Sequence, residues 1–227
     1  MKTSLSQAEL KEYIHWQLLH FFPDQGCTLL NLPVADEALS LALKRSEFCF
    51  SHIRNQLYSQ FYHLHADQYA SFLYFFANSI YQLAPEEEIS KQICDKLLQL
   101  NRILHQIFIS YKCTMPKVFY LAHPIGTVIG NAVYGEYLCV LQNVTINTST
   151  LSNPEPPRIG NAVFLSAGAK IIGNPVIGDM VVIGEGTTIN NLDVPRDSIV
   201  YNDRSSREFI VRNYDTRRIF SSIFNDI

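Results

Sequence analysis

The sequence has few cysteines and no long apolar run, and both absences narrow its class. Its five cysteines are an odd set without a C-x-x-C pair, which argues against a disulfide framework. No stretch approaches the roughly 18 apolar residues of a membrane-spanning helix, and residues 1–12 lack the apolar core of a signal peptide. We therefore expect a soluble, cytoplasmic protein with reduced thiols and no membrane insertion.

An excess of charge of one sign is also lacking. The chain carries 18 Lys and Arg against 21 Asp and Glu, a formal net charge of −3. Proteins that bind nucleic acid present a basic surface to the phosphate backbone, so we expect no nucleic-acid partner. A length of 227 residues is sufficient for one large domain or two small ones.

Glycine is almost absent from the first half, where only Gly26 precedes Gly126 among the ten glycines of the chain. Apolar residues there recur every three or four positions, which is typical of one face of a helix. This spacing predicts an α-helical domain over residues 1–114. Its predicted helices are residues 7–21, capped by Ser6 and Glu9; a face running from Leu39 to Phe61; a helix opening near Asp67; and one opening at Pro85.

The second half repeats with a period of six residues. Six aliphatic residues are each six positions apart: Ile159, Leu165, Ile171, Ile177, Ile183 and Ile189. A hexad fits one short strand and one corner, so three hexads close a triangular coil with the aliphatic residues in a stacked core. Strands of an ordinary sandwich would not keep this register over six hexads. The pattern extends upstream, with one residue missing, through Ile129, Tyr134, Val140 and Ile146.

The predicted fold class is therefore α+β. The N-terminal α-helical domain is followed by a left-handed parallel β-helix of hexapeptide repeats over residues 115–206. Residues 147–157 break the register with Thr, Ser and three prolines, so we predict a loop extruded from the coil, where functional contacts often lie. Residues 207–227 form a C-terminal tail with a short helix, predicted over residues 208–226.

Three runs of the repetitive half carry a family resemblance. They are His123-Pro-Ile-Gly-Thr-Val-Ile-Gly130, Val140-Leu-Gln-Asn-Val-Thr-Ile146, and Ile159-Gly-Asn-Ala-Val-Phe-Leu-Ser-Ala-Gly-Ala-Lys-Ile-Ile-Gly-Asn174. With the hexads that follow, up to Pro195, they resemble bacterial serine acetyltransferases over about residues 118–197. The resemblance implies acetyl-CoA as donor, a homotrimer or a dimer of trimers, and active sites between neighbouring subunits.

His123 is the candidate catalytic base. It is the only histidine of the repetitive half, and imidazole can take a proton from a hydroxyl near neutral pH. The family carries an Asp directly before this histidine and a second Asp upstream that orients it. Here the preceding residue is Ala122, and residues 109–117 contain no acid. Asp67 and Glu136 are the alternative candidates for the orienting acid.

The acceptor site departs further from the family pattern. The family's loop ends in Arg-His-Pro, which holds the serine carboxylate, whereas this chain has Glu155, Pro156 and Pro157, followed by Arg158. An acid and a proline cannot donate to a carboxylate, so we expect serine to be a poor acceptor. Asp67 begins a short Asp-Gln-Tyr motif similar to the family's contact with the substrate amine, and a helix N-cap is the competing interpretation.

The resemblance also implies where the donor lies. Small residues let the pantetheine arm approach the backbone. The predicted cofactor-binding residues are Gly168, Ala169, Lys170, Gly186, Thr187 and Arg204. His63, His65 and Asp67 would be the ligands of a metal ion, but a second cluster is lacking and we expect no metal.

Together these observations predict an acetyl-CoA-dependent O-acetyltransferase of the serine acetyltransferase type. Its substrate is a small molecule with a hydroxyl group, either serine or a sugar of a surface polysaccharide, with Asp67, Glu136 and Arg158 as candidate substrate-binding residues. The alternative is a non-catalytic trimeric scaffold of hexapeptide repeats, which the loss of the family's acids would favour and the retention of His123 argues against.

Overall fold

A computed structural model describes residues 2–24, 28–29, 32–147, 155–203 and 209–227. The N-terminal region is helical, as predicted. Its helices are α1 (Gln7–Phe21), α2 (Ala35–Ser51), α3 (Ala66–Leu83) and α4 (Glu88–His105), with a 3-10 turn at Gln56–Ser59 and a parallel pair of two-residue strands, β1 (Lys2–Thr3) and β2 (Gln60–Phe61). Within these described ranges no helix is both long and apolar enough to cross a lipid bilayer.

Local signals account for the ends of α1 and α4. The predicted capping box of α1 is confirmed: Glu9 N donates to Ser6 Oγ (3.3 Å), and Ser6 N donates to Glu9 Oε2 (2.8 Å). Helix α4 ends where Gln106 takes a left-handed conformation with φ 54°.

The predicted helical face from Leu39 to Phe61 is too long. Helix α2 ends at Ser51, although Ile53 and Phe61 remain buried. Beyond Ser51, backbone groups that would have continued the helix instead form hydrogen bonds with the C-terminal segment. Arg54 N donates to Ile223 O (2.7 Å), and Asn225 N donates to His52 O (2.8 Å). A contact so distant in sequence cannot be read from hydrophobic spacing.

The second region is a three-sided coil of parallel strands. One side contains β4 (Phe119–Leu121), β7 (Leu138–Val140), β10 (Val163–Leu165), β13 (Val181–Ile183) and β15 (Ser198–Asn202). The next contains β3 (Phe108–Ile109), β5 (Val128–Ile129), β8 (Thr145–Ile146), β11 (Lys170–Ile172) and β14 (Thr188–Asn190). The third contains β6 (Val133–Tyr134), β9 (Arg158–Ile159) and β12 (Val176–Ile177).

The six-residue repeat sets the register of this coil. Ile159 pairs with Ile177, Leu165 with Ile183, and Ile171 with Ile189 on successive turns. All six predicted hexad positions are buried, with exposures of 3% or less. The aliphatic residues therefore stack along the axis of the coil, as the repeat predicts.

The C-terminal tail is only partly helical. The predicted helix over residues 208–226 is wrong at its start, because β16 (Phe209–Asn213) pairs antiparallel with β15. This pairing covers the free edge of the last parallel strand. Helix α5 is confined to Arg217–Ile223, where Phe220 is buried.

The two regions share one hydrophobic core. Phe119 of β4 packs against Phe75 of α3, with 5.2 Å between ring centroids, and Cys49 Sγ of α2 donates to Phe119 O (3.1 Å). Strand β3 lies before the predicted domain boundary at residue 115 and pairs with β5, which lies after it. The division into domains stays a prediction. This packing places the N-terminus of α3 beside the corner that follows β4.

Candidate active site

The corners between the first and second sides of the coil form one continuous edge, which we call the site edge. It consists of residues 122–127, 141–144, 166–169 and 184–187. Backbone hydrogen bonds link successive corners: Asn143 N to Ile125 O, Gly168 N to Gln142 O, and Gly186 N to Ala167 O, each 2.9 Å. His123 lies on the first of these corners, and the two glycines lie on the third and fourth.

His123 is held by Asp67 in an unusual backbone conformation. Its φ of 50° lies in the left-handed region that non-glycine residues rarely adopt. The His123 backbone N–H donates to Asp67 Oδ2 (3.1 Å), and the imidazole Nδ1 lies 3.6 Å from the same oxygen. The His123 side chain is 86% exposed, whereas that of Asp67 is 9% exposed. Because Nδ1 faces the carboxylate, Nε2 on the other side of the ring faces away and can accept a proton.

Asp67 reaches this position from the first turn of α3. It is not the helix N-cap: His65 is, with its Nδ1 accepting from Gln68 N (3.4 Å). The carboxylate instead points towards the site edge, close to a helix N-terminus that favours negative charge. Asp67 is therefore the acid that lies beside His123, although residues 109–117 contain none.

A cavity of about 190 Å³ opens beside this pair. It lies between the N-terminus of α3, the end of α4 and the first corner of the site edge. Its lining residues are Ala66, Asp67, Leu104, His105, Gln106, His123, Pro124 and Ile125. Besides His123, the lining includes the carboxylate of Asp67 and the imidazole of His105, and it includes no Lys or Arg.

His105 is a site residue that the sequence reasoning missed. Its Nδ1 lies 2.8 Å from Asn101 Oδ1, and its ring packs edge-on against Tyr69. Burial lowers the pKa of His105 to about 4, because desolvation disfavours the charged imidazolium. The only signal in the sequence was an Asn and a His four residues apart on one helix, which is common in helices without a site.

The structure separates the other predicted acceptor residues from His123. Glu136 lies on the corner between the third and first sides, where its Oε2 accepts from Val118 N (3.0 Å). The acid beside His123 is thus Asp67 and not Glu136. Arg158 is exposed at the start of β9 on the third side, and its backbone pairs with Val133 and Val176. Within one chain, Arg158 does not reach the cavity.

The predicted donor residues divide into surface and core. Gly168 (φ 72°) and Gly186 (φ 65°) lie on the site edge, and a Cβ on Gly186 would meet nothing within 4 Å. Lys170 is exposed on β11. Ala169 and Thr187 are fully buried, so their side chains shape the coil and cannot touch a ligand on its surface. Arg204 lies outside the described residues.

The possible metal ligands have other partners. The Nδ1 atom of His63 is hydrogen-bonded to Ser4 Oγ (2.8 Å), and that of His65 caps α3. Among the residues with described positions, no three His, Cys, Asp or Glu side chains are grouped so that they could hold a metal ion.

Comparisons with known proteins agree with this architecture. No protein-family profile matches the chain. A serine acetyltransferase of Synechococcus elongatus is 36% identical over 106 residues, 46% of this chain and 43% of that protein. A protein of Escherichia coli named for colanic acid biosynthesis, the acetyltransferase WcaB, is 31% identical over 114 residues, 48% of this chain and 70% of that protein.

Solved structures show the same fold over a larger share of the chain. Serine acetyltransferase from Vibrio cholerae superposes with a TM-score of 0.66 at 20% identity, covering 93% of this chain and 83% of that one. The serine acetyltransferase of Neisseria gonorrhoeae gives a TM-score of 0.65 at 20% identity, covering 93% and 90%. The chain spans less than two thirds of the serine acetyltransferase sequences it matches.

The stacked hexads and the histidine on their first corner define the class of hexapeptide-repeat acyltransferases. This chain matches most of the length of the Escherichia coli acetyltransferase. That match indicates the branch of the class to which the chain belongs. The chain belongs to the serine acetyltransferase-like branch of the hexapeptide-repeat acyltransferases, as the motifs around His123 and Gly168 predicted.

Proposed function

We propose that this protein is an acetyl-CoA-dependent O-acetyltransferase that acts on a hydroxyl group of a small, neutral acceptor such as a sugar of a surface polysaccharide. One observation carries the proposal: His123, paired with Asp67, opens onto a cavity whose lining contains no cation. The names of the relatives support transfer of an acetyl group.

His123 acts as the general base. Its Nε2 takes the proton of the acceptor hydroxyl while the oxygen attacks the thioester carbonyl of acetyl-CoA. Asp67, beside Nδ1, holds the ring and stabilises the imidazolium that forms. The tetrahedral intermediate then loses CoA as the carbon–sulfur bond breaks, and the leaving thiolate takes the proton from Nε2. The products are the acetyl ester and free CoA, and His123 is again neutral.

Acetyl-CoA fits the site edge. The pantetheine arm would lie along the exposed backbone at Gly168 and Gly186, with Lys170 available to a phosphate, and Arg204 is a further candidate for the phosphates. The open space at Gly186 gives the arm close access to backbone N–H and C=O groups. No resident metal is needed, because the thioester is already activated for attack by an alkoxide.

A neutral acceptor suits the polar groups that surround the cavity. A carboxylate desolvated without a cation or N–H donor is costly, and Asp67 would repel it. Glu155 is exposed, and Pro157 is fixed in the coil by a hydrogen bond from Val133 N to its carbonyl (2.9 Å). Serine is the second candidate, favoured by the names of several relatives, and it would need Arg158 from a neighbouring subunit.

The protein acts as a homotrimer or a dimer of trimers, built from a left-handed β-helix over residues 115–206 and a helical domain over residues 1–114. Val133 and Val176 are about half exposed (50% and 46%) on either side of Arg158 on the third side of the coil. Such an apolar face is suited to rotational packing with other subunits. This packing would bring Arg158 of one subunit towards the site of the next. A stable monomer in light scattering would contradict it.

The alternative of a non-catalytic scaffold is not favoured, since a scaffold does not require the Asp67–His123 pair.

The test is release of CoA thiol by the purified protein with acetyl-CoA and a panel of acceptors: L-serine, methyl glycosides of hexoses and nucleotide sugars. We expect turnover with a neutral methyl glycoside and a KM above about 1 mM for serine, beyond the usual range. A sub-millimolar KM for serine would refute the neutral acceptor, and no turnover with any acceptor would refute the enzyme.

A further inference from the structure

The hydrogen bonds around His105 fix which of its nitrogens carries the proton. Asn101 Nδ2 donates to Ala70 O (3.0 Å), which leaves Asn101 Oδ1 facing His105 Nδ1 at 2.8 Å. An amide oxygen only accepts hydrogen bonds, so Nδ1 must be the protonated nitrogen. In a neutral ring Nε2 then has a free lone pair and is a hydrogen-bond acceptor.

The ring is neutral, and His105 is one of the residues that line the cavity. Burial lowers the pKa of His105 to about 4, so the imidazole carries no charge at physiological pH. His105 lines the cavity that contains Asp67 and His123. Its Nε2 makes no hydrogen bond within the described ranges and is not among their fully buried unpartnered atoms. Nε2 is therefore available to a molecule in the cavity.

We propose that His105 binds the acceptor, with its Nε2 accepting a hydrogen bond from a hydroxyl other than the one that is acetylated. This inference rests on the proposed O-acetyltransferase function. Asp67, His105 and His123 all present acceptor atoms, so the cavity selects a molecule with at least two hydroxyl groups. A polyhydroxyl sugar meets this demand, whereas a molecule with a single hydroxyl leaves His105 unpaired.

Two substitutions separate the two nitrogens of His105. His105→Asn keeps a side-chain N–H that can donate to Asn101 but removes the acceptor at Nε2. His105→Gln places a carbonyl oxygen near the position of Nε2 but loses the donor at Nδ1. We expect His105→Asn to raise the KM of the sugar acceptor about 2–10-fold, the range for one neutral hydrogen bond. Its kcat and its KM for acetyl-CoA should stay near the wild-type values.

The matched variant should show the opposite pattern. His105→Gln should keep the KM of the acceptor closer to that of the wild type but lower the melting temperature, since Asn101 loses its partner. If His105 had only a structural role, the acceptor KM of each variant would change in parallel with its melting temperature. Equal KM values for the acceptor in the wild type and in a folded His105→Asn variant would overturn the inference.

Deoxy acceptors identify the hydroxyl. The acceptors are the methyl hexoside with the highest turnover and its monodeoxy forms. For one of these forms, His105→Asn should cause no further loss, because the hydroxyl that Nε2 binds is already missing. A penalty of equal size for every deoxy form would overturn the inference while leaving the acetyltransferase function intact.

Nitrogen NMR of histidine-labelled protein gives a readout that does not depend on turnover. We expect His105 to be in the Nδ1–H tautomer between pH 6 and 8, and the Nε2 resonance to move when the methyl hexoside is added. A protonated Nε2 would overturn the inference, as would an unchanged Nε2 resonance at a saturating concentration of an acceptor that is turned over. Failure of the proposed function would instead appear as no turnover by the wild type with any acceptor.

Discussion

The helical region and the coil reach their structures by different means. In the coil, each turn repeats the last, and the residue at a given hexad position meets its equivalent on the next turn, as Ile171 meets Ile189. The sequence of the helical region has no such repeat. Helix α3 is buried on all sides from Asp67 to Ile80, and its neighbours are set by irregular packing. A repeat can be predicted from its period, whereas an irregular core requires knowledge of the fold.

The site combines the two kinds of structure. The coil supplies His123 and the regular edge that suits the donor, and the helical region supplies Asp67 and His105. Under the proposed function, the coil carries the chemistry and the helical region sets the acceptor.

Removing the base should give the largest effect. His123→Ala should lower kcat about 10²–10⁴-fold, because a general base contributes rate on that scale. His123 is 86% exposed, so the melting temperature should change little. The rate of CoA thiol release at saturating acceptor measures the loss. Near wild-type turnover would remove His123 from the mechanism.

Core truncations in the two regions should destabilise the protein together. Ile171 in the coil and Phe72 in α3 are both fully buried. Ile171→Ala should cost about 2–5 kcal/mol and Phe72→Ala about 3–5 kcal/mol of unfolding free energy. Because Phe119 and Phe75 join the regions, urea unfolding should show a single transition in each variant. Two separate transitions would show that the regions fold independently.

A substitution on the site edge should weaken the binding of acetyl-CoA and leave the binding of the acceptor unchanged. Gly186→Ala places a methyl group in the open space where pantetheine would lie, and we expect a several-fold higher KM for acetyl-CoA with the acceptor KM unchanged. Gly173→Ala is a control away from the donor: its φ of 83° is also left-handed, but it lies on another edge of the coil. Both variants should lose about 1–2 kcal/mol of stability from backbone strain, and Gly173→Ala should lose more, because its Cβ would also meet the Asn191 side chain. Equal effects on the KM for acetyl-CoA would place the donor elsewhere.

Acid should destabilise the helical region through His105. Its pKa is about 4 in the folded protein against about 6.5 when unfolded. The unfolded state therefore binds more protons as the pH falls from 6.5 to 4, and stability is lost across that window. His105→Asn should flatten this part of the stability curve. Urea midpoints from pH 7 to pH 4.5 test it, and an unchanged slope would contradict a buried neutral imidazole.

The sequence predicts the features that repeat or are local. The hexads from Ile159 to Ile189, the capping box of α1 and the catalytic candidate His123 are all read from residues near one another. The end of α2 depends on backbone contacts with residues 223 and 225, and β16 forms because β15 has a free edge. Both involve partners that no local pattern specifies.

The same limit applies to the site. The sequence offers both Asp67 and Glu136 as candidates for the acid beside His123, and only the packing of α3 on β4 decides between them. His105 carries no motif, and its role depends on Asn101 and on the cavity at the end of α4. Residues that act through tertiary packing are therefore the ones that the sequence leaves undetermined.

A double-mutant cycle measures whether Asp67 of the helical region acts through His123 of the coil. Asp67→Asn keeps an oxygen for the His123 N–H but removes the charge, and it should lower kcat about 10–100-fold, since hydrogen bonds to charged groups contribute about 1.5–3 kcal/mol. In the background of His123→Ala, the same substitution should change kcat by less than about twofold, because residues that act as a unit are not additive. Losses that multiply in the double variant would show that Asp67 and His123 act independently.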